Sequence, residues 1–203
     1  AHDFNNLLAI ILGNAEMLIS NSERNQAGPQ AIVRAAERGA KLTRNLLAFS
    51  RKHPLSPRAI EPAALVEGMS DMMQRSLGAT IKITTSSDPD LWTAMADPGQ
   101  LENALLNLAL NARDAMPAGR ELTVSCQNIQ LQDADIFGDM EVTAGDYVML
   151  AVGDTGSGMN AETRQHAFEP FYTTKGVGEG SGLGLSMVYG FAKQSGGHVD
   201  IST

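Results

Sequence analysis

The sequence predicts an α+β protein in which a two-helix hairpin precedes an α/β sandwich, and three observations lead to this prediction. Apolar residues recur at helical spacing through the first quarter of the chain, prolines then interrupt the pattern, and strand-like and helical patterns alternate afterwards. We therefore divide the 203 residues into a hairpin over 1–53, a linker over 54–61 and a sandwich over 62–203.

The hairpin is predicted from two amphipathic helices, over about 1–22 and about 30–52, in which apolar residues recur every three or four positions. The segment 21–29 between them is rich in Asn, Ser, Gly and Pro, which favours a turn. Two helices of this length are too thin to bury their own apolar faces. We therefore expect two copies of the chain to form a homodimer through a four-helix bundle.

His2 is predicted to face solvent on the first helix, almost opposite the apolar stripe. Asn6 lies one turn further along the same face, and Asp3 lies beside it. A histidine next to a carboxylate and amides has the groups that proton transfer and phosphate handling require. These three residues are therefore candidate catalytic residues.

Composition and charge restrict the partners. The formal net charge of −8 argues against nucleic acid, which needs a basic surface. The charge is uneven, because residues 1–60 carry eight Lys and Arg against four Asp and Glu, which makes the hairpin a candidate docking surface for an acidic partner. No apolar run approaches the roughly 20 residues of a membrane helix, and the single cysteine, Cys126, fits a reducing compartment. We expect a cytoplasmic segment without membrane contact, even where its parent protein is membrane-anchored.

The sandwich is predicted from helices and strands in mixed order. Asp97-Pro98 is an N-cap residue followed by proline, which indicates the start of a helix. The expected helices cover 63–77 and 98–116, and the expected strands cover 80–86, 121–131, 147–153 and 199–202. This order is typical of a sheet with helices on one face.

The helix over 98–116 has a polar face formed by Asn103, Asn107, Asn111 and Asp114. Asparagine is a poor helix former, so three of them at intervals of four indicate a function. An amide oxygen suits Mg²⁺, which keeps several waters and binds substrate phosphates through few protein ligands. A merely solvated face would more naturally carry Glu, Lys and Arg.

Two glycine-rich stretches flank an aromatic cluster further along the chain. Asp154 directly follows a predicted strand and precedes a glycine loop, where a buried carboxylate could accept a hydrogen bond from an exocyclic amine such as that of adenine. The cluster over 168–172 precedes Lys175, whose ammonium could reach a phosphate. The stretch 180–184 runs into a helical pattern, so its N–H groups could face an anion at a helix N-terminus.

In this order, the motifs resemble those of the sensor histidine kinases of two-component signalling. Residues 2–8 resemble the H box in the form often found in hybrid kinases, 107–111 the N box, 154–158 and 180–184 the two glycine boxes, and 168–175 the F box. The resemblance covers nearly the whole chain. It implies an ATP-binding domain of the GHKL type that uses ATP and Mg²⁺, with a further strand beyond Thr203.

The resemblance also implies residue roles. His2 would accept the phosphate, Asp3 would act as general base, and Asn6 would position water when the same helix dephosphorylates a partner. Asn111 would coordinate Mg²⁺, Asp154 would read adenine, and the phosphate would pass to an aspartate of a response-regulator receiver domain, separate or fused. The nucleotide-binding residues would be Asn107, Asn111, Asp114, Asp154, Gly156, Gly158, Met159, Thr174, Lys175, Gly180, Ser181, Gly182, Leu183 and Gly184.

The residues by themselves leave two alternative functions open. An ATPase of the same superfamily, such as a chaperone, mismatch-repair or topoisomerase domain, would need a glutamate to activate water, where this helix has Asn107. A degenerate nucleotide-binding scaffold would not need Asn111, Asp154 and Lys175 to be intact. The His2 hairpin favours the kinase.

Overall fold

The computed structural model describes residues 11–19, 32, 33, 36, 39, 55–132, 135–137, 140–176 and 180–203. The chain divides into two compact units. The first unit contains Ala1–His53 and Lys175–Ser181, and the second contains Pro54–Thr174 and Gly182–Thr203.

In the first unit, residues 11–19 are helical, and so are residues 32, 33, 36 and 39. Ala15 and Ala36 are buried, whereas Ile11, Met17 and Leu18 are exposed. The helical residues fall within the two predicted helices. His2, Asp3 and Asn6 lie outside the described residues, so the hairpin and its four-helix bundle stay predictions. No helix among the described residues is long and apolar enough to span a membrane.

The second unit contains the described strands and four of the described helices. The helices are α1 (Pro62–Leu77), α2 (Pro98–Ala115), α3 (Ala161–His166) and α4 (Gly184–Gln194). The strands are β1 (Arg58–Ile60), β2 (Ile81–Ser87), β3 (Ala94–Ala96), β4 (Arg120–Leu131), β5 (Asp135–Phe137), β6 (Met140–Val142) and β7 (Gly145–Asp154).

The main sheet has the order β2-β4-β7, with β4 parallel to β2 and antiparallel to β7. Strands β1 and β3 form a small antiparallel pair, and so do β5 and β6. The register pairs Leu122 near the start of β4 with Asp154 at the end of β7. The end of β7 therefore lies beside the turn that joins α2 to β4.

One face of the main sheet packs against the helices. Leu122, Val124 and Cys126 alternate along β4 and are at most 1% exposed, whereas Thr123 between them is exposed. They share one core with Met73 of α1 and Ala109 of α2. The α+β fold is therefore as predicted, with a sheet covered by helices.

The N-cap of α2 is also as predicted. Asp97 accepts hydrogen bonds through Oδ1 from the N–H of Gln100 at 3.1 Å and through Oδ2 from the N–H of Ser56 at 3.0 Å. These hydrogen bonds, first the one from Ser56, lower the pKa of Asp97. A single carboxylate thus stabilises the start of α2 and holds the chain that leads into β1.

Two predictions of secondary structure are wrong. The predicted linker contains β1, because Arg58–Ile60 pairs with Ala94–Ala96, a three-residue match that prolines on either side conceal in the sequence. The predicted strand over 199–202 is absent from the structure, where residues 198–203 have no regular hydrogen-bonding pattern. Thr203 instead bonds through its side chain to the backbone of Met159.

Candidate functional site

The polar face of α2 lies beside its buried apolar side. Leu105 and Ala109 face the core, while Asn107 and Asn111 are half-buried. Asn103, one turn earlier than Asn107, is exposed. The two half-buried amides are thus one turn apart at the edge of the core, where a ligand could reach them while the helix holds their positions.

Helix α4 begins directly against these two amides. A Cβ atom placed on Gly184 would lie 3.6 Å from Nδ2 of Asn111 and 3.8 Å from Oδ1 of Asn107. Leu183, just before it, is completely buried and anchors the start of the helix. The structure therefore brings the predicted N box and the end of the second glycine box together. The N-terminal N–H groups of α4 lie at the same place.

Asp154 at the end of β7 is exposed, so the prediction of a buried carboxylate is wrong. It is the last residue of a strand at the edge of the main sheet, where no further strand of the described chain covers it. Its Oδ1 accepts a hydrogen bond from the N–H of Gly156 at 2.8 Å. The carboxylate therefore orders the first turn of its own glycine loop and keeps its other oxygen available for a ligand.

The glycine loop after Asp154 is attached to the end of α2. The N–H of Ser157 donates to the carbonyl oxygen of Ala115 at 3.3 Å. A Cβ on Gly156 would lie 2.7 Å from that oxygen and 2.7 Å from Oδ1 of Asp154, so only glycine allows this approach. The N-box helix therefore contributes to one site at two places: the middle of α2 meets α4, and its C-terminus meets the first glycine loop.

Asp114 is paired with a neighbour that the sequence reading did not single out. Arg113 donates to Oδ1 of Asp114 from Nη2 at 2.8 Å and from Nε at 3.0 Å. Its Nη1 donates to the carbonyl oxygen of Ser76 in α1 at 3.1 Å. Arg113 thereby connects two helices and holds the Asp114 carboxylate. Nothing in the pattern of asparagines reveals this arginine.

The F box is fastened to α4 and to the second glycine box. The rings of Phe168 and Tyr189 are tilted at 37° with centroids 5.3 Å apart. The N–H of Phe171 donates to the carbonyl oxygen of Gly182 at 2.8 Å. His166 bonds to Glu169 through Nδ1 at 2.8 Å, which closes the turn that leads into the aromatic cluster. These contacts hold the aromatic cluster against α4 and against the second glycine box.

The remaining predicted site residues fall into three groups. Met159 and Gly158 lie in the first glycine loop and Thr174 is exposed at the end of the F box. Lys175, Gly180 and Ser181 belong to the other unit. Their contacts with a nucleotide therefore stay predictions, as do the roles of the catalytic residues outside the described part of the chain.

A divalent cation in this site would depend on few protein ligands. Among the described residues, no three His, Cys, Asp or Glu side chains form a group that could hold a metal ion. The half-buried amide of Asn111 can supply one neutral oxygen. One such ligand fits Mg²⁺ that is carried mainly by waters and substrate phosphates, so the donor set agrees with the predicted cofactor.

This grouping of an amide-bearing helix, an acidic glycine loop and a glycine-capped helix on one sheet is that of an ATP-binding domain. Residues 96–203 match the family of histidine kinase-, DNA gyrase B- and HSP90-like ATPases, and the chain belongs to that family. Over nearly its whole length, the chain is also similar to sensor kinases.

Two curated relatives, both sensor kinases, match nearly the whole chain. Sensor kinase CckA of Brucella abortus (strain 2308) is 42% identical over 202 residues, covering 98% of this chain and 21% of CckA. Sensor histidine kinase ZraS of Klebsiella oxytoca is 30% identical over 207 residues, covering 98% of this chain and 41% of ZraS. The chain thus spans between about a fifth and two fifths of the length of these relatives.

Solved structures share the fold. Full-length ShkA in complex with AMPPNP superposes with a TM-score of 0.67 at 24% identity, covering 95% of this chain and 39% of ShkA. Histidine kinase ThkA in complex with the response regulator TrrA superposes with a TM-score of 0.62 at 18% identity, covering 97% of this chain and 53% of ThkA.

Proposed function

We propose that this chain binds ATP with Mg²⁺, transfers the γ-phosphate to His2, and passes it on to an aspartate of a receiver domain. The observation that carries the proposal is the approach of Gly184 to Asn107 and Asn111. It places the N-terminus of α4, which attracts anions, beside amides that can bind a cation or a phosphate. Such pairing of phosphate and cation sites is what phosphoryl transfer requires.

The adenine end of the nucleotide would lie at the first glycine loop. Asp154 has one carboxylate oxygen engaged by Gly156, and the other can accept a hydrogen bond from the exocyclic amine of adenine. The phosphates would lie between α4 and the amides of α2, with Lys175 as a further positive charge. Bound Mg²⁺ would neutralise phosphate charge, and Asn111 would supply its protein ligand.

The hairpin would supply the phosphoacceptor and the partner surface. His2 would attack through one ring nitrogen while Asp3 accepts the proton from the other, so that the imidazole stays nucleophilic. Asn6 would orient water when a partner is dephosphorylated. The excess of basic residues over 1–60 suits the acidic surface of a receiver domain. ThkA, which shares the fold, was crystallised with a response regulator.

Radiolabelled ATP tests the chemistry. Incubation with γ-labelled ATP and Mg²⁺ should give an acid-labile, base-stable label on the wild-type chain, and His2→Ala should abolish the label without weakening nucleotide binding. A label that persists in His2→Ala would contradict the proposed acceptor. Hydrolysis of ATP without any label would favour the alternative of an ATPase from the same superfamily.

Two variants on one helix test the site. Asn111→Ala should weaken Mg²⁺-dependent nucleotide binding at least about tenfold, because it removes a contact to a charged group. Asn103→Ala is the matched control, since Asn103 is exposed on the same helix and should leave the affinity unchanged. Equal effects of the two substitutions, measured by calorimetric titration, would show that the helix face and not the Asn111 amide is responsible.

A further inference from the structure

The first glycine loop has an anchor far along the chain that the predicted motifs do not include. The N–H of Met159 donates to Oγ1 of Thr203 at 3.0 Å, although 44 residues separate the two. The hydroxyl is also 3.4 Å from the carbonyl oxygen of Met159, to which it can donate. One side chain therefore engages both backbone groups of a residue in the proposed nucleotide site.

The same hydroxyl explains why Gly158 is glycine. Gly158 has a φ of +67°, in the left-handed region, and a Cβ on it would lie 2.6 Å from Oγ1 of Thr203. Any side chain at position 158 would therefore both strain the backbone and displace the hydroxyl. The residue type at 158 and the hydroxyl at 203 are parts of one local arrangement.

Hydrogen bonds from backbone N–H groups hold the first glycine loop at several points. The N–H of Gly156 is bonded to Asp154, and the N–H of Ser157 is bonded to Ala115. Both contacts hold the first half of the loop. Thr203 holds the second half, through Met159. Without it, the chain between Ser157 and α3 would lose its side-chain attachment to the segment that follows α4.

We infer that Thr203 is a positioning residue that fixes the first glycine loop in the shape that binds the nucleotide. This inference rests on the proposed function, because it assigns the loop to the nucleotide site. Thr203 acts through Met159 and Gly158 and need not touch the reacting phosphate. Its loss should weaken ATP binding in the ground state and in the transition state alike, so KM should rise while kcat stays unchanged.

Three variants separate the hydroxyl from the rest of the side chain. Thr203→Val keeps the shape and removes the hydroxyl, and it should weaken binding of a non-hydrolysable ATP analogue about fivefold, the value of one ordinary hydrogen bond. Thr203→Ser keeps the hydroxyl and should bind nearly as the wild type does. Ser202→Ala is the matched control, because Ser202 is the exposed neighbour of Thr203.

Amide hydrogen exchange without nucleotide gives a second readout that does not depend on binding. The Met159 amide should exchange faster in Thr203→Val than in the wild type, Thr203→Ser or Ser202→Ala. Unchanged affinity and unchanged Met159 exchange in Thr203→Val would overturn the inference. An equal loss in Thr203→Ser would also overturn it, because the hydroxyl would not be the cause. A wild-type chain that binds no nucleotide would instead overturn the proposed function.

Discussion

The backbone contact between Phe171 of the F box and Gly182 of the second glycine box should be disrupted when Gly182 is replaced by alanine. Gly182 has a φ of +64°, and Phe171, to which its carbonyl oxygen is bonded, has a φ of +70°. A Cβ on Gly182 would lie 2.5 Å from the carbonyl oxygen of Phe171 and 2.6 Å from its Cα. Both are backbone atoms, so no side-chain rotation can relieve the conflict.

The cost of Gly182→Ala has two parts. The left-handed φ costs a non-glycine residue roughly 1–2 kcal/mol. Moving the backbone of Phe171 away would break its 2.8 Å hydrogen bond to Gly182, at a net cost of about 1 kcal/mol. The lower entropy of alanine in the unfolded chain offsets roughly 0.4–1 kcal/mol. We therefore expect the free energy of unfolding to fall by about 2 kcal/mol.

Urea unfolding followed by tryptophan fluorescence measures this loss. Trp92 is the single tryptophan of the chain and lies in the same unit as Phe171 and Gly182. With a slope of about 2 kcal/mol per molar urea, the midpoint should fall by about 1 M. Gly190→Ala is the matched control, because Gly190 lies inside α4 with nothing within 4 Å of its Cβ position.

The control should move the midpoint in the opposite direction. Alanine in a helix interior is more favourable than glycine by roughly 0.5–1 kcal/mol, so Gly190→Ala should raise the midpoint. A midpoint of Gly182→Ala equal to that of the wild type, or raised as in Gly190→Ala, would refute the close backbone approach on which the reasoning depends.

Two further predictions concern titrating groups. Asp97→Ala should lower the urea midpoint, because Asp97 accepts hydrogen bonds from the N–H groups of Ser56 and Gln100. These bonds hold the pKa of Asp97 below its ordinary 3.8. The stabilisation by Asp97 should therefore be present above about pH 4 and should be lost as the pH falls through the lower pKa of the folded state. A urea midpoint that falls with decreasing pH in Asp97→Ala as steeply as in the wild type would contradict this prediction. Burial lowers the pKa of His198 from its ordinary 6.5, and the charge of Lys193 lowers it further. The unfolded chain therefore binds a proton at a higher pH than the folded chain does, and the free energy of unfolding should fall as the pH drops through 6.5. NMR titration should show a higher pKa of His198 in Lys193→Met, and no change would exclude the Lys193 charge as a cause.

The long periodic elements of the fold could be predicted from the sequence. The expected helix over 98–116 is observed as Pro98–Ala115, and the expected strand over 121–131 as Arg120–Leu131. In both, many residues repeat one period, so chance matches are rare. The same helix also revealed Asn107 and Asn111, because asparagine is unfavourable there and needs a separate reason.

The short strands and the long-range contacts could not be predicted. Strands β1 and β3 have three residues each, too few to show an alternating pattern. The bond from Met159 to Thr203 depends on where α4 directs the chain, which no local pattern encodes. The exposure of Asp154 depends on its place at the sheet edge, and strand order is likewise a property of the assembled sheet.

Because Cys126 is buried, its reaction with a thiol reagent can report how often the folded sheet opens. It is the single cysteine, it lies in the central strand of the main sheet, and burial raises the pKa of its thiol. Alkylating reagents attack the thiolate, so the folded sheet protects Cys126 twice, by access and by ionisation. The rate at which a thiol reagent modifies the native chain therefore measures how often the sheet separates from its helices. Conversely, a cysteine introduced on the surface can carry a fluorescent label while Cys126 stays in place and unmodified.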